Sequence, residues 1–544
     1  MTVKLYSKKR YNSGYKNSGF KLNYFKTASS KNLNRNDSNN TDYNHWTDSD
    51  YWLWIVDNNV LSPDVFSGDY MSSVKIDSNG DIVALGQFEM AGIYDIKRGS
   101  IFKFNSSGTD LGHIRLINND EASARDIRLY GLAIDSSNNI YAAGAGQQFS
   151  YGELAFFKFN SSGVLQWQKN ASVKSYDNSV YAIYPTPGNE GFSENCIATD
   201  SSGNIYMVAS SYFQTSSSVY AYASWLIKWN SSGAIVWQRV IKGLQSAVAV
   251  VVRGSDVYIS GQYSIGSIFL ARYNTSGTLA WQKYYTYANY IYISNGLNVD
   301  SLGYVYLTAT YYNTSTSVYD TSFLIKTDSS GNIVWQRTLR GKSSDSYGFQ
   351  SLSIDSRDNI YVCGYTNKNG LIVKYNSYGM IIWQRILKPK NTLATIAFNS
   401  ISINANATSI YVCGYTNDIT NLGSVNTSVD TTTATPGGTG SSKNNQIIIK
   451  LTADGSFPLP SSIVDGYTDT SHGRDNLQLS ISGYTYTTSK YAEGIGTLTA
   501  STSTLVEANA ATQGILYNLT VLTPTIFAAS TLNTIGTYYT SIVY

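Results

Sequence analysis

The sequence predicts an all-β fold made of repeated four-stranded units, and three observations support this class. A cassette of Lys, a polar turn ending in Gly, and a Trp-Gln-basic strand recurs along the chain. A second hairpin motif, with an Asp-Ser turn, alternates with it. No long segment carries apolar residues at the i, i+3, i+4 and i+7 spacing of an amphipathic helix. Such a repeat determines the architecture more strongly than any other feature of the chain.

The Trp-Gln cassette has complete and degenerate copies. In each complete copy the tryptophan stands four residues after the turn glycine, and the flanking residues alternate as strands require. The complete copies are Lys158–Lys169, Lys228–Arg239, Arg272–Lys283, Lys326–Arg337 and Lys374–Arg385. The degenerate copies, Lys103–Arg115 and Lys450–Ser461, have Gly112 and Leu459 in place of the tryptophan. We interpret the repeated tryptophan as a wedge between adjacent units.

The alternating hairpin supplies the other two strands of each unit. In its motif, Ile-Asp-Ser-x-(Gly/Asn)-Asn-Ile-Tyr, Asp and Asn bind their own backbone and Gly accepts a positive φ. Its copies are Ile76–Val83, Ile134–Tyr141, Thr199–Tyr206, Val299–Tyr306 and Ile354–Tyr361, with looser versions at Val252–Tyr258 and Ile403–Tyr411. The repeated aspartates (Asp77, Asp135, Asp200, Asp300 and Asp355) are predicted to make turns, because a calcium loop needs several oxygens in sequence.

Two hairpins per unit predict a β-propeller of four-stranded blades. The turn glycines of the cassette number seven: Gly108, Gly163, Gly233, Gly277, Gly331, Gly379 and Gly455. An eighth blade is the alternative, since Tyr51–Leu61 resembles a surplus outer hairpin and Leu477–Tyr486 a shortened inner one. We favour seven blades because the Leu477–Tyr486 hairpin lacks the Asp-Ser turn.

Composition divides the chain into three parts. Residues 1–45 form a basic, extended arm with nine Lys or Arg against two Asp, and residues 46–466 form the propeller. Residues 467–544 are predicted to be a β-rich segment or small β domain, with strand-like runs at Ile515–Leu522 and Thr537–Tyr544. The Thr/Gly/Ser tract Ser424–Ser442 is predicted to be an insertion loop in the last blade.

Few residues of the chain indicate a catalytic, cofactor-binding or metal-binding site. Three cysteines (Cys196, Cys363 and Cys413) are predicted to be small buried thiols, because equivalent strands of neighbouring blades lie too far apart for a bridge. The histidines His45, His113 and His472 are isolated and have no zinc-ligand spacing. No nucleophile elbow or phosphate loop is present. We therefore predict no catalytic, cofactor-binding or metal-binding residues, although paired carboxylates from different blades stay open as an alternative.

The paired motifs in Ser353–Thr366 and Phe323–Gln336 resemble the bacterial β-propeller repeat family often called SBBP. The resemblance covers roughly residues 50–465. It implies a propeller fold, extracellular or surface roles, and no shared catalytic residues. In composition the chain also resembles structural proteins of bacteriophage tails and fibres.

The net charge, the N-terminal residues and the hydropathy of the chain indicate which functions to expect. Net charge is only +3, no apolar leader opens the chain, and no window is long enough for a membrane span. We predict a non-enzymatic virion component of a bacteriophage tail or fibre, made in the host cytoplasm. Its arm docks on other virion proteins, and its propeller is a rigid spacer or binds a host-surface glycan or protein. Nucleic acid is not an expected partner, because no nucleic-acid-reading fold accompanies the basic arm. The alternatives are a bacterial surface or secreted adhesin-like propeller and a polysaccharide-degrading enzyme with a site in the propeller channel.

Overall fold

The computed structural model describes the propeller and short strands on either side of it. The described residues are 21–25, 52–57, 70–90, 96–108, 110–115, 127–147, 152–174, 180–181, 194–242, 244–264, 266–286, 290–340, 346–389, 395–416, 445–454, 479–481, 484–487, 492–494, 499–502, 507–509 and 519–522. Within them every regular element is a β-strand. The predicted domain boundaries near residues 45 and 466 lie outside the described residues.

The first two strands, β1 (Lys21–Phe25) and β2 (Trp52–Asp57), belong to the last blade. Blade 1 consists of β3 (Tyr70–Ile76), β4 (Ile82–Met90), β5 (Ile96–Phe104) and β6 (Asp110–Arg115). Blade 2 consists of β7 (Ile127–Ile134), β8 (Ile140–Gln147), β9 (Gly152–Phe159) and β10 (Leu165–Lys174), with the short β11 (Val180–Tyr181) on β10. Blade 3 consists of β12 (Ile197–Thr199), β13 (Ile205–Ser216), β14 (Val219–Trp229) and β15 (Ile235–Lys242).

The next three blades have the same order of strands from the centre outward. Blade 4 consists of β16 (Ser246–Arg253), β17 (Asp256–Ser264), β18 (Ser267–Asn274) and β19 (Leu279–Thr286). Blade 5 consists of β20 (Ile291–Val299), β21 (Val305–Asn313), β22 (Val318–Thr327) and β23 (Ile333–Arg340). Blade 6 consists of β24 (Tyr347–Ile354), β25 (Ile360–Thr366), β26 (Asn369–Tyr375) and β27 (Ile381–Pro389).

Blade 7 closes the ring with strands from two distant parts of the chain. Its first three strands are β28 (Ile396–Ile403), β29 (Ser409–Thr416) and β30 (Asn445–Thr452). Its outer strand is β2, which pairs with β30 through Trp54 and Ile448, and β1 pairs with β2 on the outside. Seven blades are therefore confirmed, and the alternative of eight is wrong. In the described part of the Tyr51–Leu61 segment, β2 is the outer strand of blade 7 and does not belong to an eighth blade.

The segment after the propeller runs back around the ring in reverse blade order. A hairpin of β31 (Leu479–Ile481) and β32 (Tyr484–Thr487) pairs with β27 of blade 6, so the Leu477–Tyr486 hairpin is not an inner hairpin. Four further strands each pair antiparallel with the outer strand of one blade. They are β33 (Ala492–Gly494) on blade 5, β34 (Thr499–Thr502) on blade 4, β35 (Glu507–Asn509) on blade 3 and β36 (Leu519–Leu522) on blade 2.

The blades have two different ends. Both sequence motifs form tight turns, one between the first and second strands and one between the third and outer strands. Antiparallel geometry places these turns at the same end of each blade, which we call the turn end. The connections between second and third strands lie at the opposite end, the loop end. The predicted insertion Ser424–Ser442 falls in such a connection of blade 7 and lies outside the described residues.

A glycine on the second strand permits the inner strand to approach closely. The inner strands of blades 6 and 7 carry a β-bulge, between Phe349 and Ser351 and between Phe398 and Ser400. A Cβ added to Gly414 would lie 2.0 Å from the carbonyl oxygen of Ala397. A Cβ on Gly364 would lie 1.8 Å from the carbonyl oxygen of Gly348. The recurring glycine after the Ile-Tyr pair is therefore required by backbone contact within the blade.

Candidate functional surfaces

Hydrogen bonds from a cation to a carbonyl oxygen link all seven blades in a closed ring at the turn end. The Lys or Arg that opens each cassette reaches the second residue of the cassette turn in the next blade. The pairs are Lys103 to Ser161 (3.2 Å), Lys158 to Ser231 (3.1 Å), Lys228 to Thr275 (3.0 Å), Arg272 to Ser329 (3.4 Å), Lys326 to Ser377 (3.4 Å), Lys374 to Ala453 (3.2 Å) and Lys450 to Ser106 (2.7 Å). The last pair joins blade 7 to blade 1.

Four of the repeated tryptophans donate to the same carbonyl oxygens. Their indole nitrogens bind the next blade over the pairs Trp167–Ser231 (3.0 Å), Trp237–Thr275 (3.2 Å), Trp281–Ser329 (2.9 Å) and Trp335–Ser377 (3.3 Å). The prediction that tryptophan bridges adjacent blades is confirmed, but these four rings are half-buried. Trp383 differs, because it is only 7% exposed and its indole nitrogen has no hydrogen-bond partner among the described residues.

The repeated aspartates make the turns, as predicted. In Asp135, Oδ1 accepts hydrogen bonds from the backbone of Ser137 and Asn139 at 2.9 Å, and Oδ2 accepts one from the Tyr141 hydroxyl at 3.0 Å. Asp200, Asp300 and Asp355 repeat this arrangement. Burial and the neighbouring carboxylate raise the pKa of Tyr141 well above its usual range, so the tyrosine stays a donor. These oxygens are occupied by the turn itself.

In blade 1 an ion pair takes the place of the tyrosine hydrogen bond to the turn aspartate. Val83 stands where the other motifs have tyrosine. Lys103 lies 3.0 Å from Asp77 and 3.2 Å from Asp81. The lysine therefore neutralises the turn aspartate while it donates to blade 2.

A depression of about 260 Å³ lies at the turn end, between the inner turns of blades 4 to 7. Its charged groups bind neighbouring turns: Arg253 donates to the carbonyl oxygen of Ser301 at 2.8 Å. Asp358 accepts hydrogen bonds from the amide and hydroxyl of Ser301 at 2.8 and 2.6 Å. These contacts give the depression a structural role.

Polar side chains fill the centre of the ring near its inner strands. Lys75 of blade 1 donates to Oδ1 of Asn195 at 3.0 Å, and Nδ2 of Asn195 donates to the carbonyl oxygen of Asn295 at 2.9 Å. Asn399 of blade 7 donates to the carbonyl oxygen of Met71 at 2.8 Å. The first two contacts join blades 1, 3 and 5, and the third joins the neighbouring blades 7 and 1.

Glu194 is the buried acid of this network. Its side chain is 0% exposed, and burial raises its pKa to about 7. The charge of Lys75 and the hydroxyls of Ser351 and Ser400 oppose that rise. Oε1 accepts a hydrogen bond from Asn195 at 3.3 Å, while Oε2 has none of normal geometry among the described residues. The carboxyl group is enclosed, and burial favours its protonated form.

Exposed tyrosines cluster at the loop end of blade 3. Tyr212 lies opposite Tyr222, with ring centroids 4.5 Å apart, and stacks on Tyr220 at 5.5 Å. Their side chains are 53%, 43% and 46% exposed for Tyr212, Tyr222 and Tyr220. Such exposure of three tyrosine rings in contact, one pair stacked and one pair tilted, is not explained by the fold.

The same cluster faces blade 4. Ser210 lies on the same side of β13 as Tyr212 and accepts a hydrogen bond from Ala247 of blade 4 at 2.8 Å. On blade 4, Tyr263 stacks on Tyr284 at 5.2 Å, and Tyr263 packs against the apolar core shared with blade 3. The tyrosines of blade 3 and of blade 4 thus lie on the sides of the two blades that face each other. We call this set the tyrosine groove (Tyr212, Tyr220, Tyr222, Tyr263 and Tyr284).

The remaining residues singled out by sequence are structural or lie outside the described part. All three cysteines are free and buried, as predicted, and burial raises the pKa of Cys196 to about 12. His113 lies in β6, whereas His45 and His472 lie outside the described residues. Among the described residues, no group of His, Cys, Asp or Glu has the arrangement of a metal site. No described helix is long and apolar enough to cross a membrane.

Comparison with known proteins adds little beyond the fold. No protein-family model matches the chain, and no curated protein matches it. Similar solved structures include the polysaccharide lyase Uly1, at 10% identity and a TM-score of 0.38, over 71% of this chain and 90% of that one. Prolyl oligopeptidase B from Galerina marginata is 10% identical with a TM-score of 0.34, over 68% of this chain and 54% of that one.

A protein of unknown function from Dyadobacter fermentans is 8% identical with a TM-score of 0.34, over 60% of this chain and 95% of that one. Likeness at this level carries no functional argument. The resemblance to the SBBP-type repeat family stays a prediction.

Proposed function

We propose that this protein is a non-enzymatic structural and binding protein, whose propeller is a rigid scaffold and whose tyrosine groove binds a neutral glycan. The exposed cluster of Tyr212, Tyr220 and Tyr222 carries the proposal. Tyrosine offers a large rigid apolar face and a polar tip at low entropy cost, which suits recognition. The apolar C–H face of a sugar ring packs against such a face, while sugar hydroxyls bind the phenol tips.

The size of the exposed stack favours a glycan over a protein. Half-exposed tyrosines offer on the order of 100 Å² each, so the three rings present roughly 300 Å². A stable protein interface buries about 800 Å² on each partner. A short sugar chain matches the smaller area.

We further propose a bacteriophage tail or fibre as the setting, with the glycan on a host surface. The Tyr-, Ser-, Asn- and Thr-rich composition supports this setting, and the basic arm of residues 1–45 would dock on neighbouring virion proteins. A bacterial adhesin-like propeller is the second candidate, since it would use the same groove. A polysaccharide-degrading enzyme is disfavoured, because Glu194 in the channel is enclosed.

Affinity electrophoresis in gels containing dextran, soluble starch or hydroxyethyl cellulose tests the groove. We expect the migration of the protein to be retarded by at least one neutral polysaccharide. Tyr220→Ala/Tyr222→Ala should abolish the retardation. Tyr378→Ala is the matched control, because Tyr378 is a single tyrosine, 73% exposed, at the turn end, and this variant should be retarded normally.

Four outcomes would contradict the proposal or part of it. Retardation by none of the neutral polysaccharides, or equal loss in the double variant and the control, would remove the glycan assignment. Release of shorter saccharides during incubation would show an enzyme. Absence of the protein from purified virions would refute the phage setting but leave the groove assignment intact.

A further inference from the structure

We propose that Lys75 and Asn195 form an isopeptide bond, an amide bond between their side chains, with Glu194 as the acid–base group of the reaction. The contact between the first two side chains carries this inference. Nζ of Lys75 lies 3.0 Å from Oδ1 of Asn195, the oxygen bonded to the carbon that an amine would attack. A deprotonated lysine is a nucleophile toward carbonyl carbon. The bond would join β3 of blade 1 to the residue pair that precedes β12 of blade 3.

A buried acid lies beside the nitrogen that would leave. Oε1 of Glu194 accepts a hydrogen bond from Nδ2 of Asn195 at 3.3 Å, while Oε2 has no partner of normal geometry in the part of the chain that the structure describes. The acid is fully buried, and the charge of Lys75 acts on its carboxyl group. Because burial raises its pKa, this carboxylate is a better base than an exposed one. The proton that it takes comes from Lys75, so the enclosed site needs no exchange with solvent.

The reaction needs no oxidant, reductant or further reactant. The carboxylate of Glu194 takes one proton from the ammonium group of Lys75. The freed lone pair of Nζ then forms a bond to Cγ of Asn195, and an electron pair of the C=O bond moves to Oδ1. When the carbonyl forms again, the bond from Cγ to Nδ2 breaks, and a second proton of Nζ passes to Nδ2, which departs as ammonia. Of the two protons that Nζ loses, one therefore stays on Glu194 and one leaves with the ammonia.

Contacts from other blades hold the reacting groups in place. Nδ2 of Asn195 also donates to the carbonyl oxygen of Asn295 in blade 5 at 2.9 Å. The hydroxyl groups of Ser351 in blade 6 and Ser400 in blade 7 act on the carboxyl group of Glu194. A nucleophile fixed next to its target reacts as if it were present at a very high concentration. The network of the ring centre thus supplies the orientation that the reaction requires.

An exposed contact of the same residue types shows why burial matters. Nζ of Lys283 lies 2.7 Å from Oδ1 of Asn332, and Nδ2 of Asn332 donates to Asp328 at 2.9 Å. Both contacts are exposed to solvent. Burial raises the pKa of Asp328 less than hydrogen bonds from Asn332 and Ser330 lower it, so this carboxylate is a weak base. A solvated ammonium group keeps its protons at neutral pH. We therefore expect no bond at this second site.

The proposed bond would constrain the ring. It links positions that are 120 residues apart in the chain, and a cross-link over a long loop removes more freedom from the unfolded chain than one over a short loop. The charge of Lys75, which opposes the rise in the pKa of Glu194, would be lost. Glu194 would then hold its proton more tightly than in the unreacted chain.

Mass spectrometry of the purified full chain tests the inference. We expect the intact protein to be lighter than its sequence by one molecule of ammonia, and its digest to contain a branched peptide that joins Lys75 to Asn195. An intact mass equal to that of the sequence would overturn the proposal. Loss of ammonia without this branched peptide would overturn it too, because an asparagine can lose ammonia by forming a cyclic imide. Equal bonding of Lys283 to Asn332 would overturn the role given to burial.

Three variants separate the roles of the residues. Lys75→Arg keeps the charge but presents a guanidinium that stays protonated, and Glu194→Gln keeps the shape and removes the base. Both should have the full mass of their sequences and migrate more slowly than the unaltered protein in denaturing electrophoresis, because a cross-linked chain is more compact. Lys283→Arg is the matched control and should still lose one ammonia.

The variants can each contradict one part of the proposal. Loss of ammonia that persists in Lys75→Arg would refute the bond, and loss that persists in Glu194→Gln would refute the role of the acid. If a variant fails to fold, the intact mass and the branched peptide of the unaltered chain still decide whether the bond forms.

Discussion

The turn end of the propeller has contacts that repeat in every blade, whereas the loop end differs from blade to blade. At the turn end, every blade repeats one contact, the cassette cation bound to a carbonyl oxygen of the next blade, from Lys103 round to Lys450. At the loop end, the blades differ, and exposed tyrosines gather beside blade 3. Repeated chemistry thus marks the contacts that hold the ring together, and departures from the repeat mark the surface available to a ligand.

If this comparison is correct, changes at repeated positions should lower the free energy of unfolding. Changes at the exposed Tyr212, Tyr220 and Tyr222 of the tyrosine groove should lower binding and leave stability almost unchanged, within about 0.5 kcal/mol.

The largest loss is expected at a repeated glycine inside the blade. Gly414→Ala would place a methyl group 2.0 Å from the carbonyl oxygen of Ala397, so the two strands must separate. We expect a loss of about 4 kcal/mol or failure to fold, measured by urea unfolding. Gly203→Ala is the control, because a Cβ there meets nothing within 4 Å and only its φ of +75° is unfavourable. It should lose about 1 kcal/mol; equal losses would show that backbone contact is not the cause.

The repeated tryptophans should rank by burial. Trp383→Ala should lose about 3–5 kcal/mol, because this ring is buried. Trp281→Ala should lose about 2 kcal/mol, because its ring is half-buried, although its indole nitrogen binds Ser329 at 2.9 Å. Thermal and urea unfolding of both variants would measure this difference. A larger loss at Trp281 would mean that the inter-blade hydrogen bond outweighs apolar burial.

The parts of the structure that repeat could be predicted from the sequence. The cassette predicted the blades, and the Asp-Ser motif predicted turns that Asp135 and its equivalents make. The lysine of each cassette was visible, but its acceptor lies in the next blade, at a distance that no local pattern encodes. Strand β2 was assigned to a surplus hairpin, because nothing in the sequence of a strand indicates which blade it joins.

The strand-like run Ile515–Leu522 was predicted and contains β36, but the pairing of β31 to β36 around the blades and the central network could not be predicted from the sequence. Strands such as β33 (Ala492–Gly494) span three residues and are too short for alternation to be recognised. Glu194 precedes the short inner strand β12 and belongs to no motif.

The pH dependence of stability should reveal the central network. The folded-state pKa of Glu194, about 7, lies above the ordinary value of 4.5. The folded protein therefore holds this proton more tightly, and its extra stability is complete below about pH 4.5 and lost as the pH rises to about 7. The slope should reach about 1.4 kcal/mol per pH unit, on the order of 3 kcal/mol in total.

Glu194→Gln isolates this contribution, because it keeps the shape and removes the titration. Lys75 faces the carboxyl group with a positive charge, while burial keeps the thiols of Cys196, Cys363 and Cys413 protonated through this range. Urea unfolding at several pH values would compare the two proteins. Parallel curves between pH 4.5 and 7 would contradict the assignment of the buried proton to Glu194.

The smallest of these effects tests whether the seam between blades 7 and 1 differs from the other blade junctions. Lys450 is 5% exposed and donates to Ser106 at 2.7 Å, whereas Lys158 is half-buried and donates to Ser231 at 3.1 Å. Lys450→Met should therefore lose about 2 kcal/mol and Lys158→Met about 1 kcal/mol, because a charged donor is lost and a carbonyl oxygen keeps fewer partners. Urea unfolding of both variants measures the difference. Equal losses would mean that ring closure depends on β2 pairing with β30, and that the cation contact at the seam is no stronger than the others.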